Sequence, residues 1–497
     1  MQIDKNRYQS NRGQVGDDPV FLQTRLNRYH YSHLHHFSNW LQKELKDKNI
    51  SPSDDHPILV FPDQSEELIF LMAAAYLLKI PLLVLHPQTE EKEVKRTLQM
   101  IRPAAHFRGS HIFSAATQEL PTLRINRKVI HIESKDGTQL SMDLPDRKIA
   151  GYFSTSGATG NPKIVPLTYD QVQIAAEASA GNLKPEKNKY WLLCLPLNHI
   201  GGMSVIYRSL IYNSAIYLVE KFESDTIRTL LNENSNFEAA SMVPTMLNKL
   251  LDDPFFRVQF GFKGFLIGGG PISTELVDRA LTRGIPLITS YGMTETCAQI
   301  AANPMLRSGM YIPKTSVGPV FRPNEVEIRS EHGERMNDHE SGYIWLRGPQ
   351  VFKGYLDPDQ NRDVFDQEGW FNTGDYGRMN RKGFLFIESR RTDLIVTGGE
   401  NVNPLEVENI LNRYPSISDS AVIGVPDQKW GQRVIAFIQP VMGQDPDFEQ
   451  IKRDLKEKVR DFKVPKEFIP IDRIPKTDTL KIKRNKLRQI YMSGFKF

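Results

Sequence analysis

A run of ten residues, Ser154-Thr155-Ser156-Gly157-Ala158-Thr159-Gly160-Asn161-Pro162-Lys163, puts hydroxyls, glycines and a lysine into one stretch. It follows a strand-like segment, 149–153. Glycines let backbone N–H groups approach an anion, hydroxyls donate hydrogen bonds and lysine adds charge, so the run suits a phosphate cradle. It is not a Walker A loop, because no Lys-Ser or Lys-Thr pair follows the second glycine at the required place. A plain Ser/Gly surface loop is the bland alternative. Further on, Tyr291-Gly292-Met293-Thr294-Glu295-Thr296 follows a strand-like stretch, 286–290. A hydroxyl and a carboxylate at a strand end stand where ligands gather in open α/β sheets. Glu295 offers hard oxygens to Mg²⁺; a helix cap by Thr294 or Glu295 is the alternative. In Gly369-Trp370-Phe371-Asn372-Thr373-Gly374-Asp375, the aspartate could accept from two vicinal hydroxyls, as a ribose offers, or simply close a turn. Two later segments, Ser389-Arg390-Arg391-Thr392-Asp393 running to Thr397-Gly398-Gly399-Glu400-Asn401, and Pro475-Lys476-Thr477-Asp478-Thr479-Leu480-Lys481-Ile482-Lys483-Arg484, complete the set. The last is a basic run of the kind that is usually a solvated face.

These segments need elements to hold them. A chain of 497 residues is too long for one hydrophobic core. Residues 58–61 read as a buried strand, Ser65 caps a helix over 66–78, residues 82–85 read as a strand, and 90–101 form an amphipathic helix closed by Pro103. Strand signals return at 191–195, 216–219, 264–267 and 287–289. This alternation predicts parallel strands with helical crossovers, an α/β class. Between 348 and 386 glycine, aspartate and aromatics crowd together, predicting short antiparallel strands and turns. A compact unit with helices over 404–414 and 448–462 ends the chain. The expected architecture is a large N-terminal domain of α/β sheets with a β-rich subdomain, residues 1–390, and a small C-terminal α+β domain, 391–497, on a short hinge.

Composition narrows the function classes. Lys plus Arg is 63 against 59 Asp plus Glu, a net charge of +4 too even for nucleic acid or an anionic membrane as the main partner. The two cysteines, Cys194 and Cys297, form no metal or disulfide pattern and suit a reducing compartment. Residues 1–19 carry no apolar secretory core, and the longest apolar run, 68–78, is stopped by Lys79 and Pro81 short of a bilayer span. A cytoplasmic protein is expected; the sequence leaves open whether it forms a homodimer. The histidines at 30, 33, 35 and 36 share helical spacing with Leu34, Phe37, Trp40 and Leu41, so an amphipathic helix is the expectation there rather than a metal site.

Taken in order, the five segments resemble the adenylate-forming superfamily of acyl-CoA synthetases, peptide-synthetase adenylation domains and luciferases, over about 152–488. The resemblance implies that Thr155, Ser156, Gly157, Thr159, Gly160 and Lys163 hold the ATP phosphates, and that Gly268, Gly269, Gly270 and Pro271 line the adenine pocket. It implies adenine stacking by Tyr291 with Gly292 beside it, an α-phosphate contact from Thr294, and Mg²⁺ ligation by Glu295. Asp375 and Arg390 correspond to a ribose-binding pair, Lys481 to the lysine bridging carboxylate and α-phosphate, and Gly398, Gly399, Glu400 and Asn401 to a thiol tunnel. Ala158 and Leu480 depart from the family pattern, removing one side-chain donor and replacing a glycine before the catalytic lysine.

Within the superfamily the chain most resembles the o-succinylbenzoate–CoA ligases of menaquinone biosynthesis. Leu195-Pro196-Leu197-Asn198-His199-Ile200-Gly201-Gly202 is similar to their substrate-gate segment, with His199 as the gate, although Asn198 stands where an aromatic is common. The implied reaction uses ATP, Mg²⁺ and CoA, with the acid first activated as its acyl-adenylate. Another aryl- or fatty-acid ligase, or an adenylation module loading a carrier-protein thiol, stays open. Arg208 bears on the acid: it is the one cation in an apolar helical stretch, 203–212. It either snorkels or pairs internally, or it faces the acyl pocket and meets a second carboxylate.

Overall fold

The computed structural model describes residues 18–107, 117, 120–125, 127–131, 148–155, 163–310, 313, 315–362, 364–390, 393, 395–398, 400–476 and 482–494. Short β-branched and aliphatic runs form the strands and amphipathic runs the helices, as the alternation predicts. Ile58–Val60, Leu82–Val84 and Gly264–Ile267 are fully buried strands, the pattern of a parallel sheet covered on both faces. The Ser65 hydroxyl caps the Glu66–Leu77 helix by accepting from the Leu68 N–H.

Two mostly parallel sheets make the α/β part of the large domain. In the eight-stranded sheet the order is Ala298–Ala302, Leu287–Met293, Gly264–Ile267, Phe237–Met242, Tyr190–Leu193, Ala215–Leu218, Val20–Gln23 and Arg28–His30. Its central strands pair in parallel, and only the two ends are antiparallel. In the six-stranded sheet, Thr122–Leu123, Ala105–Phe107, Ile58–Val60, Leu82–Val84 and Ile149–Thr155 are parallel, and Lys163–Thr168 closes the edge antiparallel. Between the sheets the Glu66–Leu77 helix, apolar around its whole circumference, packs against Ile200–Tyr212. The Tyr31–Asp47 helix buries Leu34, Phe37 and Leu41 as predicted, and its Nδ1 of His33 accepts from the His30 N–H at the helix start.

The β-rich part differs in detail from the sequence expectation. It is a four-stranded antiparallel meander, Glu325–Arg329, Ser341–Arg347, Phe371–Met379 and Leu385–Arg390. It thus begins upstream of residue 348, and among the described residues of 348–370 the only regular element is a 3-10 turn, Pro358–Asn361. Polar alternation in Glu325–Arg329 hid that strand, because one of its faces is solvated. Beyond it, Glu400–Val402, Ile395–Thr397, Gly431–Pro440 and Ile417–Asp427 form a further sheet, with Glu467–Pro470 added in parallel and the Pro404–Leu411, Phe448–Lys458 and Arg484–Met492 helices around it. The apolar clusters on the two faces of this sheet draw only on residues from 395 onward, which is what an independent small C-terminal domain requires. Among the described residues no helix is long and apolar enough to cross a membrane.

Candidate active site

The edge pair of the six-stranded sheet carries the first site residues. Thr155 and Lys163 are register partners at the ends of the two strands. The Thr155 hydroxyl donates to the Lys163 carbonyl at 3.4 Å. Ser156, Gly157, Ala158, Thr159 and Gly160 lie outside the described residues. The Lys163 ammonium sits 4.4 Å from the centre of the Tyr355 ring, and the Tyr355 hydroxyl donates to Glu295 Oε1 at 2.8 Å. Glu295 belongs to a 3-10 turn, Thr294–Thr296, that follows the Leu287–Met293 strand. Thr296 closes that turn: its hydroxyl accepts from the Met293 N–H at 3.1 Å and lies 2.9 Å from the Ala298 carbonyl. The cap that the sequence allowed to Thr294 or Glu295 is therefore supplied by Thr296, and the Glu295 carboxylate is turned to Tyr355 instead. Tyr355 was missed by the sequence reading. It lies in an irregular segment without periodicity, and nothing local pairs it with either charge.

The second cluster lies at the carboxyl ends of neighbouring parallel strands, where such sheets collect ligands. The Tyr291 hydroxyl donates to Asp375 Oδ2 at 2.6 Å, and both residues are buried. Asp375 and Arg390 are register partners on adjacent strands of the meander; Arg390 is described through its backbone alone. Gly292 is required by the close pairing with the next strand, since a Cβ there would stand 1.8 Å from the Ala298 carbonyl oxygen. After the Gly264–Ile267 strand, Gly268 faces the Ser290 hydroxyl, which a Cβ would approach to 2.7 Å, and Gly269 takes a φ of +75°. Gly270 and Pro271 complete this exposed or half-exposed turn.

The third cluster is on the Ile200–Tyr212 helix. His199 stands at its N-terminus, its ring 6.3 Å from that of His86. Nine residues on, roughly 13 Å along the axis, Arg208 is 3% exposed. Its Nη1 donates to the Ser204 hydroxyl at 3.2 Å, its Nη2 reaches the Ser241 hydroxyl at 3.5 Å, and its guanidinium lies over the Trp191 ring at 4.3 Å. The Nε has no partner. Among the described residues no carboxylate lies within 4.0 Å of it. Burial pulls the guanidinium down from its ordinary value to about 10, opposed only by the Cys297 side chain. Arg208 borders a small pocket with Ser204, Tyr207, Cys297 and Gln299, and the Gln299 Oε1 is also buried without a partner. This arginine does not snorkel to solvent; its internal partners are two serine hydroxyls and the Trp191 ring, and among the described residues no acid neutralises it.

In the C-terminal domain Lys481 and Leu480 lie outside the described residues, as do Thr392 and Gly399. The residues flanking 477–481 are held together: Lys476 and Ile482 form an antiparallel bridge, and the Lys483 N–H donates to the Pro475 carbonyl at 2.8 Å. Lys476 pairs with Asp419, and Arg484 pairs with buried Glu408 at 2.6 Å. Gly398 adopts a φ of +59° in the turn joining Ile395–Thr397 to Glu400–Val402, and its N–H donates to the Trp430 carbonyl at 2.8 Å. Glu400 is exposed, and Asn401 is described through its backbone, opposite Val396.

The fold thus gathers three polar groupings: Lys163, Tyr355 and Glu295 at the sheet edge, the buried Tyr291–Asp375 bond, and Arg208 with its serine hydroxyls and Trp191 ring. Residues 9–356 match the AMP-binding enzyme family, and residues 406–481 match the AMP-binding enzyme C-terminal domain. A 2-succinylbenzoate–CoA ligase of Listeria monocytogenes is 37% identical over 69% of this chain and 70% of its own. That of Bacillus licheniformis is 31% identical over 98% of this chain and 100% of its own. The o-succinylbenzoate CoA synthetase of Bacillus subtilis is 27% identical. Solved with the acyl-adenylate OSB-AMP, it superimposes with a TM-score of 0.84 over 97% of this chain and 98% of that one. With ATP and magnesium ion the TM-score is 0.83. By sequence, by fold and by the residues gathered at the strand ends, the chain belongs to the AMP-binding enzyme family.

Proposed function

We propose that this chain is a cytoplasmic ATP-dependent acid–CoA ligase that converts o-succinylbenzoate, ATP and CoA into o-succinylbenzoyl-CoA, AMP and pyrophosphate. Family membership and the named relatives support the reaction class. The observation that carries the choice of acid is Arg208, a buried cation beside a small pocket, with no carboxylate to neutralise it among the described residues. A buried charge is costly unless an anion accompanies it. A diacid supplies that anion through its second carboxylate, whereas a benzoate or fatty acid would leave the guanidinium bare.

In the first half-reaction the acid's carboxylate attacks the α-phosphate and pyrophosphate leaves. Anion meets anion, so catalysis rests on fixed positive charge and donors rather than on a protein nucleophile. Lys163 and the Thr155 hydroxyl stand at the strand edge for the phosphates, with Ser156, Gly157, Thr159 and Gly160 assigned to the same cradle. Thr294 contacts the α-phosphate, and Lys481 bridges it to the incoming carboxylate. Tyr291 takes the adenine against the Gly268–Pro271 turn, and Asp375 with Arg390 takes the ribose. Glu295 fits Mg²⁺: its Oε1 is occupied by Tyr355, which orients the carboxylate, and its hard anionic oxygens suit that ion. When bound, Mg²⁺ supplies neutralisation of the phosphate charge. His199 gates the acid at the helix start.

In the second half-reaction the CoA thiol attacks the acyl carbonyl. The small domain, residues 391–497, turns about a hinge near Thr392, withdrawing Lys481 and presenting Gly398, Gly399, Glu400 and Asn401 to the thiol. ATP–pyrophosphate exchange over a panel of acids tests the reading. Exchange should be strong with o-succinylbenzoate and weak with monocarboxylic analogues; equal exchange with a monoacid would refute the diacid assignment.

A further inference from the structure

The Lys163 ammonium and the Glu295 carboxylate are opposite charges at one site, yet they do not meet. Among the described residues no carboxylate lies within 4.0 Å of Lys163. Tyr355 stands with each: Lys163 rests on its ring face at 4.4 Å, and Glu295 Oε1 accepts from its hydroxyl at 2.8 Å. Tyr355 is held through its backbone and its ring. The Tyr355 N–H donates to Asn361 Oδ1 at 2.7 Å and Asn361 Nδ2 donates back to the Tyr355 carbonyl at 3.0 Å. Phe352 packs edge-on against the ring, with centroids 4.8 Å apart. The neighbouring backbone is tied to Glu295's turn and to Lys163's strand. The Phe352 N–H donates to the Glu295 carbonyl at 2.8 Å, and the Leu356 N–H donates to the Ile164 carbonyl at 2.9 Å.

A direct Lys163–Glu295 ion pair would neutralise both groups before any ligand arrived. A phenol avoids that outcome with two neutral contacts. Its quadrupole holds the cation by a face, and its hydroxyl holds the anion by a single donor. Both contacts leave the charges unspent. We propose that Tyr355 is a positioning residue that keeps Lys163 and Glu295 from pairing with each other, so that the ammonium stays available to the phosphates and the carboxylate to the metal. The proposal rests on the ATP-phosphate role of Lys163 and the Mg²⁺ role of Glu295 given above.

Calorimetry of ATP binding, with chelator and then with Mg²⁺, tests it on the whole protein, alongside thermal melting without nucleotide. Tyr355→Phe keeps the ring, so metal-free ATP should bind within about twofold of wild type, while the extra tightening brought by Mg²⁺ falls roughly tenfold, the scale of one hydrogen bond to a charged group. Tyr355→Leu should weaken metal-free ATP roughly tenfold as Lys163 closes onto Glu295. Adding Glu295→Gln to Tyr355→Leu should then restore metal-free binding, because the competing carboxylate is gone. A merely structural tyrosine predicts no such rescue, and a double variant as weak as Tyr355→Leu overturns the proposal. Lys163→Ala separates the two levels. If it leaves metal-free ATP affinity unchanged, the phosphate role itself falls and the proposal with it; if it weakens ATP and the rescue is absent, only the Tyr355 proposal falls. Should Tyr355→Leu fail to fold, Tyr355→Phe decides, since an undiminished Mg²⁺ effect overturns the hydroxyl's part.

Discussion

Replacing Arg208 by methionine, of similar length and without charge, should separate stability from function. In the protein without acid, the guanidinium has two serine hydroxyls and the Trp191 face, and its Nε has nothing. Its displacement by burial down to about 10 corresponds to roughly 3 kcal/mol disfavouring the charged form. Against this stand the cation–π contact and the packing of the stem, together about 1–2 kcal/mol. Arg208→Met should therefore leave the melting temperature unchanged or raise it by a few degrees, as buried charges replaced by apolar groups often do. Activity should move the other way. Losing a buried charge partner for the second carboxylate should cost about 2–4 kcal/mol in transition-state binding, a roughly 30- to 1,000-fold fall in kcat/KM for the diacid. An aryl monoacid should change by no more than about threefold, because it never engages the cation. The assay is pyrophosphate release with each acid, paired with calorimetric melting. Equal losses on both acids, or a clear drop in melting temperature, would refute the reasoning and return Arg208 to a structural role.

Lys481→Ala should slow acyl-AMP formation by two to three powers of ten, about the scale of one oriented electrostatic stabiliser, yet leave conversion of supplied acyl-AMP to acyl-CoA nearly intact; single-turnover measurement of each half-reaction decides, and equal losses would contradict a domain rotation. Glu408→Gln leaves Arg484 buried without its carboxylate and should cost the small domain about 3–5 kcal/mol, read as loss of hydrogen-exchange protection across 404–492 with the large domain unaffected. Burial pushes the thiols of Cys194 and Cys297 up to about 12, so at pH 8 roughly one molecule in ten thousand carries either thiolate. A disulfide exchange reagent should find both cysteines unreactive until denaturant is added, and rapid labelling of the native protein would show that either is open to solvent.

Local pattern was enough for much of this protein. Ser65 followed by an apolar run dictates a capped, buried helix whatever surrounds it, and the Gly264–Ile267 strand is legible because a parallel sheet covered on both faces needs an unbroken apolar run. The phosphate-loop composition, Glu295 after a strand, Asp375 after a turn glycine and the basic run around Lys481 were all visible as residue types at fixed spacing. The Glu325–Arg329 strand was not, because its half-solvated alternation looks like loop. What no linear pattern could decide was partnership. The capping of the 294–296 turn by Thr296 rather than Glu295, the Tyr291–Asp375 bond across 84 positions and the placement of Tyr355 with both Lys163 and Glu295 all join distant segments. Arg208 shows the division most plainly. Its type and its apolar neighbours were written in the sequence, but whether it was neutralised depended on every element packed around it, and only the folded chain left it buried beside two serine hydroxyls and the Trp191 ring.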